Sequence, residues 1–346
     1  MAAAGIGAEA SKPTSGIDHD VDRLLDAKPI LDPAIAAFLE KGDTVRGVHR
    51  YGTSTWAETM RLDVEGHDEK SRSYFLKTLS VENAAERVYG EFRAMSEIYS
   101  TMPTIAPKPR GYGEFQNNKG THFFMCDFLN ITHDLPDPEH LGKTLAELHH
   151  KSQSPNGKFG FHCTTFDGEK PLNTTWDSSW TRFFARLINE VYKLEKGVNG
   201  HWQPLEDVMQ ITLSKLIPRL LDPLTAEGRA IKPCLIHGDL WESNIGTDKE
   251  TNAIYIYDAC SYYAHHEKEV AIWRVAHHQM THDKYWREYF KYYPPSEPLE
   301  EADDRNRLYS VETLLVNSLS FPGAKTREVA YEELRLLIEK YFPGSL

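Results

Sequence analysis

Asp239 and Asn244 stand with four residues between them in His237-Gly238-Asp239-Leu240-Trp241-Glu242-Ser243-Asn244. Phosphoryl transfer to a hydroxyl uses residues of these types at this spacing. The Asp accepts the hydroxyl proton, and the Asn carbonyl oxygen holds Mg²⁺. Asp258 follows after a polar turn and the apolar run Ala253-Ile254-Tyr255-Ile256-Tyr257. A hairpin there returns the chain to the catalytic loop and sets Asp258 at a strand end, facing the same metal. A hard cation is suited by carboxylate, amide and phosphate oxygens. His-Gly-Asp alone also occurs as a turn or helix cap. The later Asn and Asp make the combination informative.

The same chemistry needs a strand Lys for the nucleotide phosphates and a helix Glu to orient it. Tyr74-Phe75-Leu76-Lys77 reads as an apolar strand ending in Lys, and Glu91 lies on the helix that follows. Glu82 and Glu86 are rivals for the Glu role. Between the first two strands, Gly52, Thr53, Ser54 and Thr55 offer hydroxyls and backbone N–H groups to phosphate, with one Gly where a Gly-rich loop has three. Met125-Cys126-Asp127-Phe128 ends the fifth strand, where its backbone can meet an adenine edge.

These residues require two kinds of element around them. Thr44–Arg50, Thr55–Val64 and Ser71–Leu79 carry β-branched and aromatic residues between turn-like stretches, which predicts an antiparallel meander. Residues 81–100 carry apolar positions at helical spacing. Two more strands are expected in 104–115 and 121–129. Beyond Asn130 the chain reads as helical over 138–151, 178–195 and 204–221, and again toward the C-terminus. An interrupted helix is expected over 18–39, behind a disordered lead-in at 1–17. The fold class is therefore α+β. An N-terminal lobe at 18–127 has an antiparallel sheet and one main helix, and a larger, mostly helical C-terminal lobe spans 128–346.

The 346 residues carry 39 Lys+Arg against 51 Asp+Glu, a net charge of −12. That balance argues against nucleic acid or an anionic membrane as the main partner, since either needs a basic face. Four Cys without a CxxC pattern read as reduced thiols, giving a cytoplasmic expectation. No apolar run reaches the length of a bilayer span. Adjacent His pairs such as His265-His266 point different ways on a helix and read as structural.

The run from His237 to Asn244, with Tyr257-Asp258-Ala259-Cys260-Ser261-Tyr262-Tyr263, resembles the fructosamine/ketosamine-3-kinase family. So do Lys158-Phe159-Gly160-Phe161-His162 and Trp180-Thr181-Arg182-Phe183-Phe184-Ala185-Arg186. The resemblance covers roughly residues 40–340. It implies a bilobal protein-kinase-like fold, related to aminoglycoside phosphotransferases. It also implies ATP- and Mg²⁺-dependent phosphorylation of the 3-hydroxyl of a ketosamine, free or protein-bound, which then sheds its amine. By the same resemblance Asp239 is the base, Asn244 and Asp258 are metal ligands, and Lys77 with Glu91 is the phosphate-binding pair. Trp241, His237 and Tyr263 fall on the acceptor side. Departures are Ser243 where a Gly is common, and Ala259-Cys260 where the family has Pro-Ala. Residues 49–57 lack the cysteine that gives some members a redox-controlled dimer, so that thiol switch is not expected here; a monomer is expected, with a dimer as the alternative. A kinase for another small hydroxylated metabolite and a pseudokinase scaffold are the competing readings.

Overall fold

The computed structural model describes residues 31–52, 57–280 and 282–346. The lead-in, most of the helix expected over 18–39, and Thr53, Ser54 and Thr55 lie outside the described residues. The helix expected there is represented by α1 (Pro33–Ala36), capped by the Asp32 side chain.

The meander forms as expected. β1 (Thr44–Arg50), β2 (Glu58–Glu65) and β3 (Ser71–Leu79) pair antiparallel. After α2 (Ala84–Thr101), β4 (Pro109–Glu114) and β5 (His122–Asp127) complete a sheet of order β1-β2-β3-β5-β4. Alternation along β3 assigns its two faces. Tyr74 and Leu76 pack with Ile35 of α1, Phe123 and Met125. Lys77 and Leu79 point the other way, toward α2, whose Val88, Met95 and Ile98 are buried.

The C-terminal lobe opens with β6 (Ile131–Thr132) and α3 (Pro138–Lys151), whose first turn is capped by Asp137. A hairpin of β7 (Thr165–Asp167) and β8 (Lys170–Leu172) precedes α4 (Trp180–Asn199). The helix expected over 204–221 is α5 (Gln203–Ile211), a π-helical turn at Thr212–Leu216, and α6 (Ile217–Leu221). Pro218 has no N–H to offer the carbonyl of Ser214, and the wider turn falls there. Short strands β9 (Cys234–Ile236), β10 (Ile245–Asp248), β11 (Ile254–Ile256) and β12 (Tyr262–Ala264) bracket the catalytic loop. The expected hairpin is the pairing of β10 with β11. α7 (Arg287–Tyr292), α8 (Ala302–Ser320) and α9 (Thr326–Tyr341) close the lobe. The architecture is thus the α+β, two-lobed arrangement expected. No helix among the described residues is long and apolar enough to cross a membrane.

The family-like runs outside the catalytic loop serve packing. Phe159 and Phe161 are buried, and Gly160 bridges to Tyr263 with φ +130°, a conformation open to Gly. Phe183 and Phe184 lie in the core, and Trp180 Nε1 donates to the Tyr309 hydroxyl at 2.7 Å.

Candidate active site

Lys77 comes from β3, Glu91 from α2 and Asp258 from the end of β11. The structure brings the three together. Lys77 Nζ lies 2.9 Å from Glu91 Oε2 and 2.5 Å from Asp258 Oδ1. Glu91, not Glu82 or Glu86, meets the Lys. Lys77 and Glu91 are 12% and 11% exposed in their side chains, while Asp258 is 53% exposed on the cleft floor. Burial works against the Lys77 ammonium, but Asp258 and Glu91 together hold its pKa above the ordinary value. Burial pushes the Glu91 carboxyl up to about 7, against the pull of Lys77. Burial also works to raise Asp258, and Lys77 overrides it and keeps that carboxyl low. Asp258 has φ +61°, a left-handed conformation that Asp tolerates and that concentrates at functional sites.

Asp239 and Asn244 form the second group. Asn244 Nδ2 donates to the Asp239 carbonyl and to Asp239 Oδ2, each at 2.9 Å. The amide is thereby oriented, and its carbonyl oxygen is turned away from Asp239. Burial and then the charge of Asp258 push the Asp239 carboxyl up to about 7. A base poised near neutrality is what general-base chemistry favours.

The loop is held from behind. His237 is fully buried, and its Nε2 reaches the Tyr257 carbonyl at 2.9 Å while Asp239 N–H donates to Nδ1 at 3.3 Å. Both ring nitrogens are therefore engaged inside the protein, and burial lowers the pKa of the ring. Glu269 accepts from the N–H groups of His237 at 2.6 Å and Gly238 at 3.1 Å. Burial acts to raise Glu269, but the His149 and His237 contacts hold it below the usual range. Glu269 is a positioning group that no sequence motif pointed to. The signal available was its place on the stretch after Asp258.

Two acceptor-side candidates are placed elsewhere. Besides His237, Tyr263 is 1% exposed, packs near Trp176 and Phe161, and donates its hydroxyl to Glu97 at 2.8 Å. It serves β12 and the Gly160 bridge. Trp241 stays beside the catalytic loop, half-buried, with its ring 5.6 Å from that of His278.

On the nucleotide side, Gly52 has φ +71° in the turn between β1 and β2, and Tyr51 N–H donates to the Thr59 carbonyl at 3.0 Å. Met125 and Cys126 are buried. The N–H groups of Asp127 and Phe128 are engaged by the carbonyls of Lys108 and Ser73. Asp127 also pairs with Arg110, and the Phe128 ring meets Tyr51 at 4.8 Å. These backbone donors are therefore committed to the fold. Beyond the run expected from sequence, the N–H groups of Leu129 and Asn130 make no hydrogen bond among the described residues.

Residues 37–339 match the model of the fructosamine kinase family. The chain is 28% identical over 239 residues to a chloroplastic protein-ribulosamine 3-kinase of Arabidopsis thaliana, covering 68% of each chain. It is 27% identical over 231 residues to ketosamine-3-kinase of Mus musculus, covering 60% of this chain and 71% of that one. The chain spans about two thirds of the length of its plant relatives, 65% for a rice protein-ribulosamine 3-kinase. Among solved structures, one assigned as a fructosamine-3-kinase of Thermobifida fusca superposes with TM-score 0.68 at 19% identity, covering 90% of this chain and 99% of that one. A ternary complex of aminoglycoside phosphotransferase APH(4)-Ia with AMP-PNP and hygromycin B gives TM-score 0.55 at 16% identity, covering 86% and 94%.

Proposed function

The chain belongs to the fructosamine kinase family, and on that premise we propose that it phosphorylates the 3-hydroxyl of ketosamines, ribulosamine or fructosamine adducts of lysine, using ATP and Mg²⁺. The observation that carries this reading is the meeting of Lys77, Glu91 and Asp258 in one ion-paired group, with Asp239, held by Asn244, near enough to Asp258 to respond to its charge. We take the lobe boundary at residues 127 and 128, with nucleotide groups before it and acceptor groups after it.

Asp239 is assigned as the base. Asn244 Nδ2 restrains Oδ2, and Oδ1 carries no hydrogen bond among the described residues, so it can accept the proton of the acceptor hydroxyl. Lys77, held by Glu91, is assigned to the nucleotide phosphates. Asn244 Oδ1 and the Asp258 carboxylate would hold Mg²⁺. An amide oxygen turned from its neighbour and a half-exposed carboxylate are an oxygen donor set fit for that cation. When bound, ATP supplies the phosphoryl group and the metal offsets its charge. His237 and Glu269 position the loop. Loss of the 3-phosphate with release of the amine would make the protein a deglycating enzyme.

The test incubates the protein with ATP, Mg²⁺ and ribulosyl- or fructosyl-lysine and follows ADP release and the 3-phosphate. Turnover of either supports the assignment. Nucleotide binding without turnover of either overturns it. The fold shared with APH(4)-Ia keeps a second reading in view, a kinase of other hydroxylated amines, and an aminoglycoside acceptor in the same panel separates the two.

A further inference from the structure

Asp167 is an acid at the cleft to which the phosphotransfer roles above assign nothing. It ends β7, and the position of that strand is set from two sides. Gly90 of α2 lies so close to the hairpin that a Cβ there would meet the Thr164 carbonyl oxygen at 2.6 Å. On the other side, Thr165, fully buried, donates its hydroxyl to the Cys260 carbonyl at 3.0 Å. Cys260 in turn backs the catalytic loop, since a Cβ on Gly238 would meet Cys260 Sγ at 2.7 Å. Residues two apart on a strand share a face. Asp167 therefore lies on the Thr165 side, toward Asp258–Cys260 and the catalytic loop. Asp239 is its strongest charged neighbour.

The fold does not use this carboxylate. It makes no hydrogen bond or ion pair among the described residues. Lys170, opposite it in the hairpin, lies 3.9 Å from Glu169 instead. Lys268, a buried cation whose charge reaches Asp167, is paired with Glu312 at 3.0 Å. Asp167 is half-buried, and an unpaired acid close to another acid is unfavourable until a cation joins them.

We propose that Asp167 binds the cationic amine of the acceptor, beside the hydroxyl that Asp239 deprotonates, and so selects hydroxylated amines over neutral sugars. This rests on the phosphotransfer reading above. In a ketosamine the nitrogen is on C1 and the reacting hydroxyl on C3, so ammonium and hydroxyl reach the site on one short chain. Two acids side by side can take one each.

The test compares an Nα-blocked ketosamine with the same molecule acylated, and hence neutral, on the sugar-bearing nitrogen. The wild type should prefer the cationic acceptor in kcat/KM, and Asp167→Asn should lower that preference tenfold or more, chiefly through the KM of the cationic acceptor. Asp167→Glu should restore part of it. Stabilisation of each variant by a nucleotide analogue shows that it is folded. Equal losses on both acceptors, an unchanged preference, or a loss that follows the Mg²⁺ requirement instead would overturn the proposal. If no ketosamine is turned over, the functional reading fails while this one is judged on an aminoglycoside and its N-acetylated form. The same variant and ratio decide it there.

Discussion

Asp239 lies in a loop that commits almost every polar atom around it. Asn244 restrains one carboxylate oxygen, His237 receives its N–H, and Glu269 holds the two preceding N–H groups. Replacing Asp239 by Asn keeps the shape but removes the proton acceptor. Turnover should fall by about 10²–10⁴, with ADP and ATP-analogue affinity within a few-fold of wild type. A near-normal rate would take Asp239 out of the base role. The pKa of about 7 also sets a pH dependence. A carboxyl is active as a base only when ionised, and burial with Asp258 raises the pH at which this occurs. Acceptor kcat/KM should therefore fall about tenfold per unit as pH drops below about 7, and flatten above it. A profile flat from pH 5 to 8 would contradict this.

At the scale of elements, α2 and the β7–β8 hairpin share one close contact that supports both halves of the site. Gly90 precedes Glu91, and the Thr164 carbonyl occupies the place where a Cβ would stand. In an isolated helix Gly→Ala stabilises by about 1 kcal/mol. Here the added methyl meets backbone, so either the helix or the hairpin has to shift. Gly90→Ala should therefore destabilise the protein by about 1–3 kcal/mol, read from the urea midpoint, and should also weaken turnover because Glu91 and Asp167 move with their elements. The sequence marked α2 by its apolar spacing and offered Glu91 beside Glu82 and Glu86 as partner for Lys77. It carried no sign that Gly90 was a contact, because what fills the space is a carbonyl from a strand about seventy residues away.

At the scale of the molecule, the helical lobe is tied together by buried polar groups near β12. Glu267 and Arg305 form a paired contact, both bonds at 2.8 Å, with side chains 1% and 0% exposed. His265 and His266 join it through Tyr309, Tyr289 and Ser296. These two His and Glu267 lie close enough to suggest a metal site, but both Glu267 oxygens are taken by Arg305 and the ring nitrogens by hydroxyls. Removing one partner strands a buried charge. Arg305→Met should thus lower stability by about 3–5 kcal/mol, seen as a fall in the denaturant midpoint, and the double change with Glu267→Leu should recover much of it. An additive double loss would count against the pair. Part of the chain's acidic excess lies instead at the candidate site, where Asp167, Asp239 and Asp258 act on one another.

The sequence by itself carried the candidate site residues and the two-lobed order of elements. Lys77, Glu91, Asp239, Asn244 and Asp258 were legible because their spacing is local to one loop, one hairpin, or one strand followed by one helix. Strand alternation and helical period are likewise local properties. The tertiary structure decided which side chains face the cleft. His237 and Tyr263 belong to the same motifs as the site, yet their rings are consumed by Tyr257 and Glu97. The N–H groups of Asp127 and Phe128 are taken by partners brought in by neighbouring segments. Asp167 sits in a hairpin with no motif, and that hairpin is set beside the Asp239 loop by the contacts of Thr164 with Gly90 and of Thr165 with Cys260. Burial and hydrogen-bond partners depend on segments far apart in the chain, and only their packing places an acid, or withdraws a ring, at the site of reaction.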